Sequence, residues 1–216
     1  MKQAKQANFV FRSWGGVRNG AGRKPSGERK KVAHAKRPAV AARHPVHVTL
    51  RLERGLESLR KRRTFHLVRT ALFECANRFE MCIVEFSVMT NHLHFVCEIA
   101  DEQSLSRGIQ GLCIRVARAL NGFWNRCGKV FADRYHAHVL KTPLEVRRAL
   151  AYVLRNAAHH GIHFAGPDPC SSGIWFSGWA DFTTRTRDTL ASPLPAARTW
   201  LMTLGWRRHG SIALHG

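Results

Sequence analysis

The sequence predicts an α+β fold in which a four-stranded antiparallel sheet carries two helices on one face and a further helix follows. Two observations lead to this class. Stretches in which apolar residues alternate, typical of half-buried strands, are interleaved with stretches in which they recur every three or four positions, typical of helices. The order of these stretches is β-α-β-β-α-β, which predicts a single mixed domain.

The first predicted strand covers residues 45–52 and the first predicted helix covers about 56–79. In the strand, one side is apolar and the other carries His47, Thr49 and Arg51. The helix has inward positions at helical spacing, namely Leu56, Leu59, Leu67, Ala71 and Phe79. This pair therefore predicts one layer of helix against one layer of sheet.

A hairpin and a second helix follow. Residues 82–88 and 92–98 alternate as strands, and the three residues between them are few enough for a tight connection. Residues 103–124 return to helical spacing and end before Gly128. The apolar stripe of that helix is Leu105, Ile109, Leu112, Val116, Leu120 and Phe123.

The last strand of the predicted sheet covers residues 130–140, and a further helix starts at Pro143. Thr142 is a suitable N-cap, Pro143 fits the first helical turn, and Gly161 ends the helix after about His160. The complete order is the ferredoxin-like pattern, whose usual strand order is 4-1-3-2. That arrangement leaves one sheet face uncovered by the two crossover helices.

Charge divides the chain into three parts. Residues 1–43 hold twelve Lys or Arg and one acid, and they have too few apolar residues to fold alone, so we predict a basic, disordered arm. Residues 44–165 are the predicted domain. Residues 166–216 form an extension with four tryptophans that the pattern does not place. The net charge of +21 predicts a polyanionic partner, foremost nucleic acid, although an arm that only solubilises the protein is the alternative.

The six cysteines and the lack of long apolar runs indicate a cytoplasmic location. No C-x-x-C pair occurs, which favours reduced thiols over disulfides or a zinc finger. No run approaches the roughly 18 apolar residues of a membrane span, and no apolar segment of a secretory signal follows the N-terminal charges. A basic transit peptide is an alternative that the glycines of the arm disfavour.

Two His-x-His motifs are candidates for metal binding. In His92-Leu93-His94, strand periodicity puts both imidazoles on one face, about 7 Å apart along the backbone. His136-Ala137-His138 has the same spacing. The first pair is favoured because it lies on an internal strand, where the backbone is held on both sides.

Tyr152 and Asn156 could complete that site. They are four residues apart, hence on one face of the last helix, at the edge of its apolar stripe. From there a nucleophile and a third ligand could reach the uncovered sheet face. The alternative is that Tyr152 is a half-buried aromatic and Asn156 a polar residue near the helix end. Tyr135, the other tyrosine, falls on the core face of its strand.

Two segments resemble motifs of the HUH transposases with a single catalytic tyrosine. The resemblance extends over residues 45–165 and is greatest to the REP-associated tyrosine transposases of the IS200-like branch. It lies in Thr90-Asn91-His92-Leu93-His94-Phe95-Val96, in Ala151-Tyr152-Val153-Leu154-Arg155-Asn156 with His159-His160-Gly161, and in Val130-Phe131-Ala132 with Arg134-Tyr135-His136.

The resemblance implies a function and a set of site residues. Tyr152 is expected to be the nucleophile that nicks and rejoins single-stranded DNA through a 5′-phosphotyrosine. The expected substrates are hairpin or palindromic sites, and the expected location is the bacterial cytoplasm, at the nucleoid. His92, His94 and Asn156 are expected to hold Mg²⁺ or Mn²⁺, although histidine ligands alone would equally suit zinc. We assign DNA contacts to Arg23, Lys24, Arg51, Arg134, His136 and Arg155.

The sequence departs from the family pattern at two places and leaves several alternatives open. Thr90 stands for a frequent proline, and Ala157-Ala158 replace Pro-Val. His159 or Glu98 could accept the phenol proton, and Trp124 or Trp175 could stack on bases. Other interpretations are a domesticated or non-catalytic hairpin-binding protein, a relaxase or replication initiator, and a ribosome-associated protein. Both a monomer and a homodimer fit the sequence.

Overall fold

The structure, a computed structural model, describes residues 40–182 and 192–215. The strands are β1 (Val46–Arg51), β2 (Asn77–Arg78), β3 (Met81–Val88), β4 (His92–Ile99) and β5 (His136–Val139). The helices are α1 (Arg62–Cys75), α2 (Glu102–Phe123), α3 (Pro143–Leu154), α4 (Asn156–His159) and α5 (Trp200–Thr203), with 3₁₀ turns at Gly173–Trp175 and Gly205–His209. None of the helices in these two ranges is long and apolar enough to cross a membrane.

The five strands form one antiparallel sheet in the order β2-β3-β4-β1-β5. The four predicted strands correspond to β1, β3, β4 and β5, so the predicted ferredoxin-like order is confirmed, with β2 added at the edge beside β3. Strand β1 is internal: Thr49 lies opposite His94 on β4 and opposite His136 on β5. Both flanks of β1 are therefore fixed by backbone hydrogen bonds.

Helices α1 and α2 cover one face of the sheet. The apolar side of each strand packs against them, as the alternation in the sequence predicts. Leu93, Phe95 and Cys97 of β4 are almost completely buried there, together with Val48 and Leu50 of β1. The burial of apolar side chains on both layers is the main driving force for this half of the fold.

The other face of the sheet is half covered, whereas the sequence analysis left it open. Helix α3 and the C-terminal segment, residues 166–182 and 192–215, pack on it around a second apolar cluster. That cluster includes Val96 of the sheet, Val146, Leu150 and Val153 of α3, and Phe176, Trp179, Met202 and Trp206 of the C-terminal segment. Only the part of the face next to β5 and the start of β4 is left for a site.

The first predicted helix is shorter than expected at both ends. Helix α1 spans residues 62–75 rather than 56–79, and Phe79, predicted to face the core, is half exposed. Phe79 and Glu80 both have positive φ and form the two-residue turn between β2 and β3, the geometry that such hairpins prefer. The sequence lacks the Asn-Gly pair that normally marks this turn, so the turn was missed.

The last strand and the last helix also differ from their predictions. The regular part of the last strand is four residues long, preceded by an isolated bridge between Leu52 and Phe131. The final helix stops at Leu154, and a short helix resumes at Asn156 after Arg155 leaves the helical conformation. It ends before Gly161, whose φ of 74° is the left-handed conformation expected of a helix-terminating glycine.

The C-terminal segment protects the edge of β3 that β2 does not reach. Ser171 bridges to Ser87, Val88 N–H donates to the Cys170 carbonyl, and Ser172 N–H donates to the Phe86 carbonyl. A buried ion pair holds this stretch: the Arg60 guanidinium makes two bonds to the Asp168 carboxylate, at 2.8 and 2.7 Å. An unpaired strand edge is a site of aggregation, and this segment removes it.

Candidate active site

His92 and His94 lie on the half-covered face of β4, as strand periodicity predicts. His94 is 5% exposed and its ring centroid is 4.8 Å from that of His92. Leu93 between them is buried in the core under α1 and α2, so it anchors the strand. The two imidazoles are therefore neighbours on a rigid internal strand.

His94 is held by two side chains of β1. Its Nδ1 is 3.1 Å from Nε2 of His47 and 3.1 Å from Oγ1 of Thr49. The rings of His47 and His94 stack with centroids 5.3 Å apart. No hydrogen bond to Nε2 of His94 is formed within the described residues, so this atom has a free lone pair or proton.

His92 is held by its own neighbour. Its Nδ1 lies 2.8 Å from the Asn91 side-chain oxygen, which can only accept, so Nδ1 carries the proton and Nε2 has the lone pair. The ring of His160, from the end of α4, lies 5.4 Å from that of His92. Helix α4 thus closes one side of the histidine pair.

Tyr152 projects from α3 over the two strands. The helix starts at a capping box in which Thr142 accepts from the Glu145 amide and Glu145 accepts from the Thr142 amide, with Pro143 in the first turn. The Tyr152 ring contacts His94 and His47 edge-on, with centroids 5.3 and 5.8 Å apart, and it stacks on His159 at 5.5 Å. The side chain is 39% exposed, so a ligand can reach it.

Asn156 is fully buried beneath this cluster. Its Nδ2 donates to Oγ of Ser87 at 3.5 Å, and Ser87 lies directly opposite His94 in the sheet. Its Oδ1 is buried without a hydrogen-bond partner among the described residues. A buried amide oxygen that lacks a donor is costly, and a cation is one group that would satisfy it.

Burial and mutual repulsion keep the histidines neutral. Burial, followed by the charges of His47, His92 and His160, lowers the pKa of His94 to about 3. Burial, followed by His160 and Arg51, lowers the pKa of His92 to about 4. Burial, followed by His138 and His136, lowers the pKa of His47 to about 4. Neutral imidazoles are the form that binds metal ions.

The imidazole nitrogens and the amide oxygen of this cluster would suit a metal ion that accepts both nitrogen and oxygen ligands. In the part of the chain that is described, no group of three or more His, Cys, Asp or Glu side chains is placed to hold a metal. The candidate set consists instead of two imidazoles and one amide, His92, His94 and Asn156, and the unpaired Asn156 oxygen fits it. Three protein ligands leave positions for water or phosphate oxygens.

The residues predicted to contact DNA are spread along the rim of this face. Arg51 is exposed at the end of β1 opposite His92, and His136 is exposed on β5 opposite Thr49. Arg134 is exposed before β5, and Arg155 lies at the break between α3 and α4. Arg23 and Lys24 lie outside the described residues.

The alternative residues for nucleophile, base and stacking lie elsewhere. Tyr135 packs against the first apolar cluster, as its strand position predicts. Glu98 is buried and accepts the backbone N–H groups of Arg198 and Thr199. Trp124 donates to Glu57, and the ring of Trp175 packs edge-on against Phe73.

Three residues of the site were not assigned from the sequence. The sequence predicts His47 and Thr49 on this face without a role, and it contains His160 only as part of the motif around Tyr152. Their contacts with His94 and His92 depend on strand register and on the break after α3, which periodicity does not specify. The histidine enrichment of the face was the available signal.

Comparisons with known proteins agree with this architecture. The family model described as "Transposase IS200 like" matches residues 42–156, more than half of the chain. A solved structure of a REP-associated tyrosine transposase bound to a REP hairpin is similar at a TM-score of 0.54 and 14% identity, over 65% of this chain and 82% of that one. A Deinococcus radiodurans transposase structure matches at a TM-score of 0.39 and 12% identity, over 52% and 87%.

A search of curated protein sequences gives no match. The structural likeness shows the fold, and the family model, which spans the strands and helix that carry His92, His94, Tyr152 and Asn156, shows the family. The chain therefore belongs to the IS200-like transposases.

Proposed function

We propose that this transposase nicks and rejoins single-stranded DNA in a metal-dependent reaction with Tyr152 as the nucleophile. The observation that carries the proposal is the position of the Tyr152 ring, edge-on against His94 and open to solvent. A phenol, two neutral imidazoles and an unpaired amide oxygen meet there on rigid elements. The second tyrosine, Tyr135, is partly buried and packs against the first apolar cluster.

The proposed step conserves the phosphodiester energy. The Tyr152 oxygen attacks phosphorus in line, the bond from phosphorus to the 3′ oxygen breaks, and the leaving oxygen takes a proton to become a 3′-OH. The DNA is then attached to Tyr152 through its 5′ phosphate. Attack by another 3′-OH reverses the step and joins new ends, without ATP.

His92, His94 and Asn156 would hold Mg²⁺ or Mn²⁺. When bound, the ion polarises the scissile phosphate and stabilises the charge that develops on its oxygens. The chain supplies the rest: Asn91 orients His92, and β1 orients His94. We favour a hard ion over zinc because an amide oxygen belongs to the set and phosphate oxygens must share the site.

The phenol must lose its proton, because free tyrosine has a pKa near 10. We propose His159 as the acceptor, since its ring stacks on Tyr152 at 5.5 Å and its side chain is exposed. Glu98 does not suit this role because its carboxylate already accepts two backbone N–H groups under the C-terminal segment. General-base catalysis requires a base that can come within hydrogen-bond reach of the proton, and His159 is an exposed imidazole already in ring contact with Tyr152.

The proposed substrate is single-stranded or hairpin DNA. The solved REP-associated relative is bound to a REP hairpin, and the charge of +21 favours a polyanion. Arg51, Arg134, His136 and Arg155 would bind backbone phosphates around the site. Arg23 and Lys24 of the predicted basic arm, residues 1–43, would bind duplex phosphates. The protein would then act in the bacterial cytoplasm, at the nucleoid.

A labelled hairpin oligonucleotide with a single-stranded flank tests the nucleophile. The full chain is incubated with it and Mn²⁺, and denaturing gels separate free DNA from protein–DNA adduct. We expect the wild type and Tyr135→Phe to form the adduct and Tyr152→Phe to form none. Hairpin binding without an adduct in the wild type would instead support a non-catalytic or domesticated binding protein. The positive charge of the chain favours DNA binding in that case as well.

A further inference from the structure

The buried imidazole of His94 has hydrogen-bonding neighbours at only one of its two ring nitrogens among the described residues. Nδ1 of His94 has both His47 Nε2 and Thr49 Oγ1 at 3.1 Å, whereas Nε2 has no hydrogen-bond partner among the described residues. One ring nitrogen is thus shared between two side chains and the other is left open. A packing contact alone would not place two polar atoms on the same nitrogen.

The geometry of the sheet explains why both side chains meet at Nδ1 of His94. Thr49 lies directly opposite His94, and His47 lies opposite Val96, one diagonal step along the same face. Strand β1 is bonded to β4 on one side and to β5 on the other, so neither His47 nor Thr49 can shift from its register. The stacked contact between the rings of His47 and His94 fixes the tilt of the imidazole as well.

We propose that His47 and Thr49 are positioning residues that hold His94 as the Nδ1–H tautomer, with Nε2 presented to the metal ion. In this arrangement the His94 Nδ1–H donates to Thr49 Oγ1 and to the lone pair of His47 Nε2. The inference rests on the proposed function for the identity of the ion, but the tautomer itself is a property of the protein alone.

The second ligand supports the same arrangement. The Asn91 side-chain oxygen only accepts, so His92 also carries its proton on Nδ1 and has its lone pair on Nε2. Both imidazoles are then oriented through the nitrogen distal to the ion, the arrangement by which metal-binding histidines are usually fixed. Such outer contacts typically change metal affinity by about 10- to 100-fold when removed.

Manganese binding to the full chain measures the effect directly. Electron paramagnetic resonance of free Mn²⁺ gives the affinity of each variant, without DNA. We expect His47→Phe combined with Thr49→Val to weaken Mn²⁺ binding about 10-fold or more, and His47→Gln, which keeps an acceptor, to remain within about threefold. His138→Phe is the matched control. His138 lies directly opposite His47 on β5, and within the described residues it makes no hydrogen bond to His94.

Cleavage assays separate positioning from a general loss of structure. At saturating Mn²⁺ the doubly substituted variant should recover most of the wild-type rate, because the ion, once bound, restores the ligand geometry. Equal Mn²⁺ affinity in the wild type and in the doubly substituted variant would overturn the proposal. Failure to recover at any Mn²⁺ concentration, in a variant with native circular dichroism, would also count against it.

Histidine nitrogen spectra keep this inference separate from the proposed function. Long-range ¹H–¹⁵N correlation of the metal-free wild type should show His94 protonated on Nδ1, and the doubly substituted variant should lose that preference. An Nε2–H tautomer in the wild type would overturn the inference. If the wild type binds no Mn²⁺ but shows the Nδ1–H tautomer, the metal part of the proposed function fails while the positioning of His94 by β1 stands.

Discussion

Each residue of the site has a role that follows from its immediate contacts. His92 and His94 are neutral because they are buried among other histidines, and Asn156 has a buried oxygen without a donor. Tyr152 is exposed to solvent and its ring contacts that of His94. The side chains therefore divide into those that would hold the ion and one that would attack.

Replacing His92 by alanine should separate binding from cleavage. We expect the cleavage rate to fall by about 100-fold or more, because a metal ligand is lost. Hairpin affinity should stay within about threefold, because phosphate contacts around the site dominate it. Gel-shift titrations and single-turnover cleavage measure the two quantities. A parallel loss of affinity and cleavage would indicate that His92 is structural.

At the scale of residues, the sequence predicts which residues belong to the site better than it predicts the contacts between their side chains. Strand and helix periodicity place His92, His94 and Tyr152 on surfaces that can meet. In the structure the ring centroid of His94 lies 4.8 Å from that of His92 and 5.3 Å from that of Tyr152. The contacts of His94 with His47 and Thr49 depend on the pairing register of β1 with β4. Register is a property of two strands together, so neither strand's pattern predicts it.

At the scale of elements, a buried ion pair joins the C-terminal segment to the connection between β1 and α1. The side chain of Arg60 is 11% exposed and that of Asp168 is 3% exposed. Asp168 Oδ1 also accepts a hydrogen bond from the backbone N–H of Cys170. Hydrogen bonding to Asp168 is the largest cause that raises the pKa of Arg60. Removal of one member leaves the other charge buried without its partner.

Asp168→Ala should therefore destabilise the protein by about 3 kcal/mol. Urea unfolding followed by tryptophan fluorescence measures this change. The matched control is Glu74→Ala, which removes the exposed ion pair with Arg115 and should change stability by less than about 1 kcal/mol. Similar values for the two variants would show that the Arg60–Asp168 pair does not hold the segment.

Glu85 of β3 makes the same region sensitive to pH. Burial raises its pKa to about 8, although a hydrogen bond from Ser172 opposes this shift. The carboxyl keeps its proton in the folded chain but loses it above about pH 4.5 when unfolded. Its contribution to stability is therefore complete below pH 4.5 and is lost as the pH rises toward 8.

Glu85→Gln should remove this dependence, because the amide is neutral at every pH. We expect the variant to be more stable than the wild type by about 4 to 5 kcal/mol at pH 8.5 and similar to it at pH 4.5. Urea unfolding of both proteins at the two pH values gives the difference in their free energies of unfolding. The histidines titrate in both proteins alike, so their contribution cancels in this difference. A constant difference between pH 4.5 and 8.5 would show that Glu85 is ionised in the fold.

The elements themselves were predictable where periodicity is regular. The order of the strands and the start of α3 at Pro143 follow from alternation and from the capping residues. The hairpin at Phe79 and Glu80 did not, because its backbone needs positive φ at two residues that rarely supply it. The backbone pairing of β2 with β3, in which Asn77 lies opposite Cys82, outweighs that local preference.

At the scale of the whole molecule, charge and packing are divided along the chain. Residues 1–43 hold eleven net positive charges, and residues 44–165 hold eight. The segment from 166 onward supplies much of the second apolar cluster, including Trp179 and Trp206. The sequence could not place it because its apolar residues follow neither a helical nor a strand period.

The basic arm should determine much of the salt dependence of DNA binding. Replacing both Arg23 and Lys24 by glutamine should reduce the slope of log K against log salt by about 1 to 2, because each phosphate contact contributes about 0.7 to 0.9. Fluorescence anisotropy of a labelled hairpin between 50 and 300 mM KCl gives the slope. An unchanged slope would mean that these two residues do not contact phosphate.

The most direct test of the account is the chemical identity of the covalent adduct. The adduct formed with Mn²⁺ is digested with nuclease and trypsin, and mass spectrometry locates the residual nucleotide. The account predicts a 5′-linked phosphonucleotide on Tyr152, in the tryptic peptide of residues 149–155. A nucleotide attached to any other residue, or to Tyr152 through a 3′ phosphate, would contradict it.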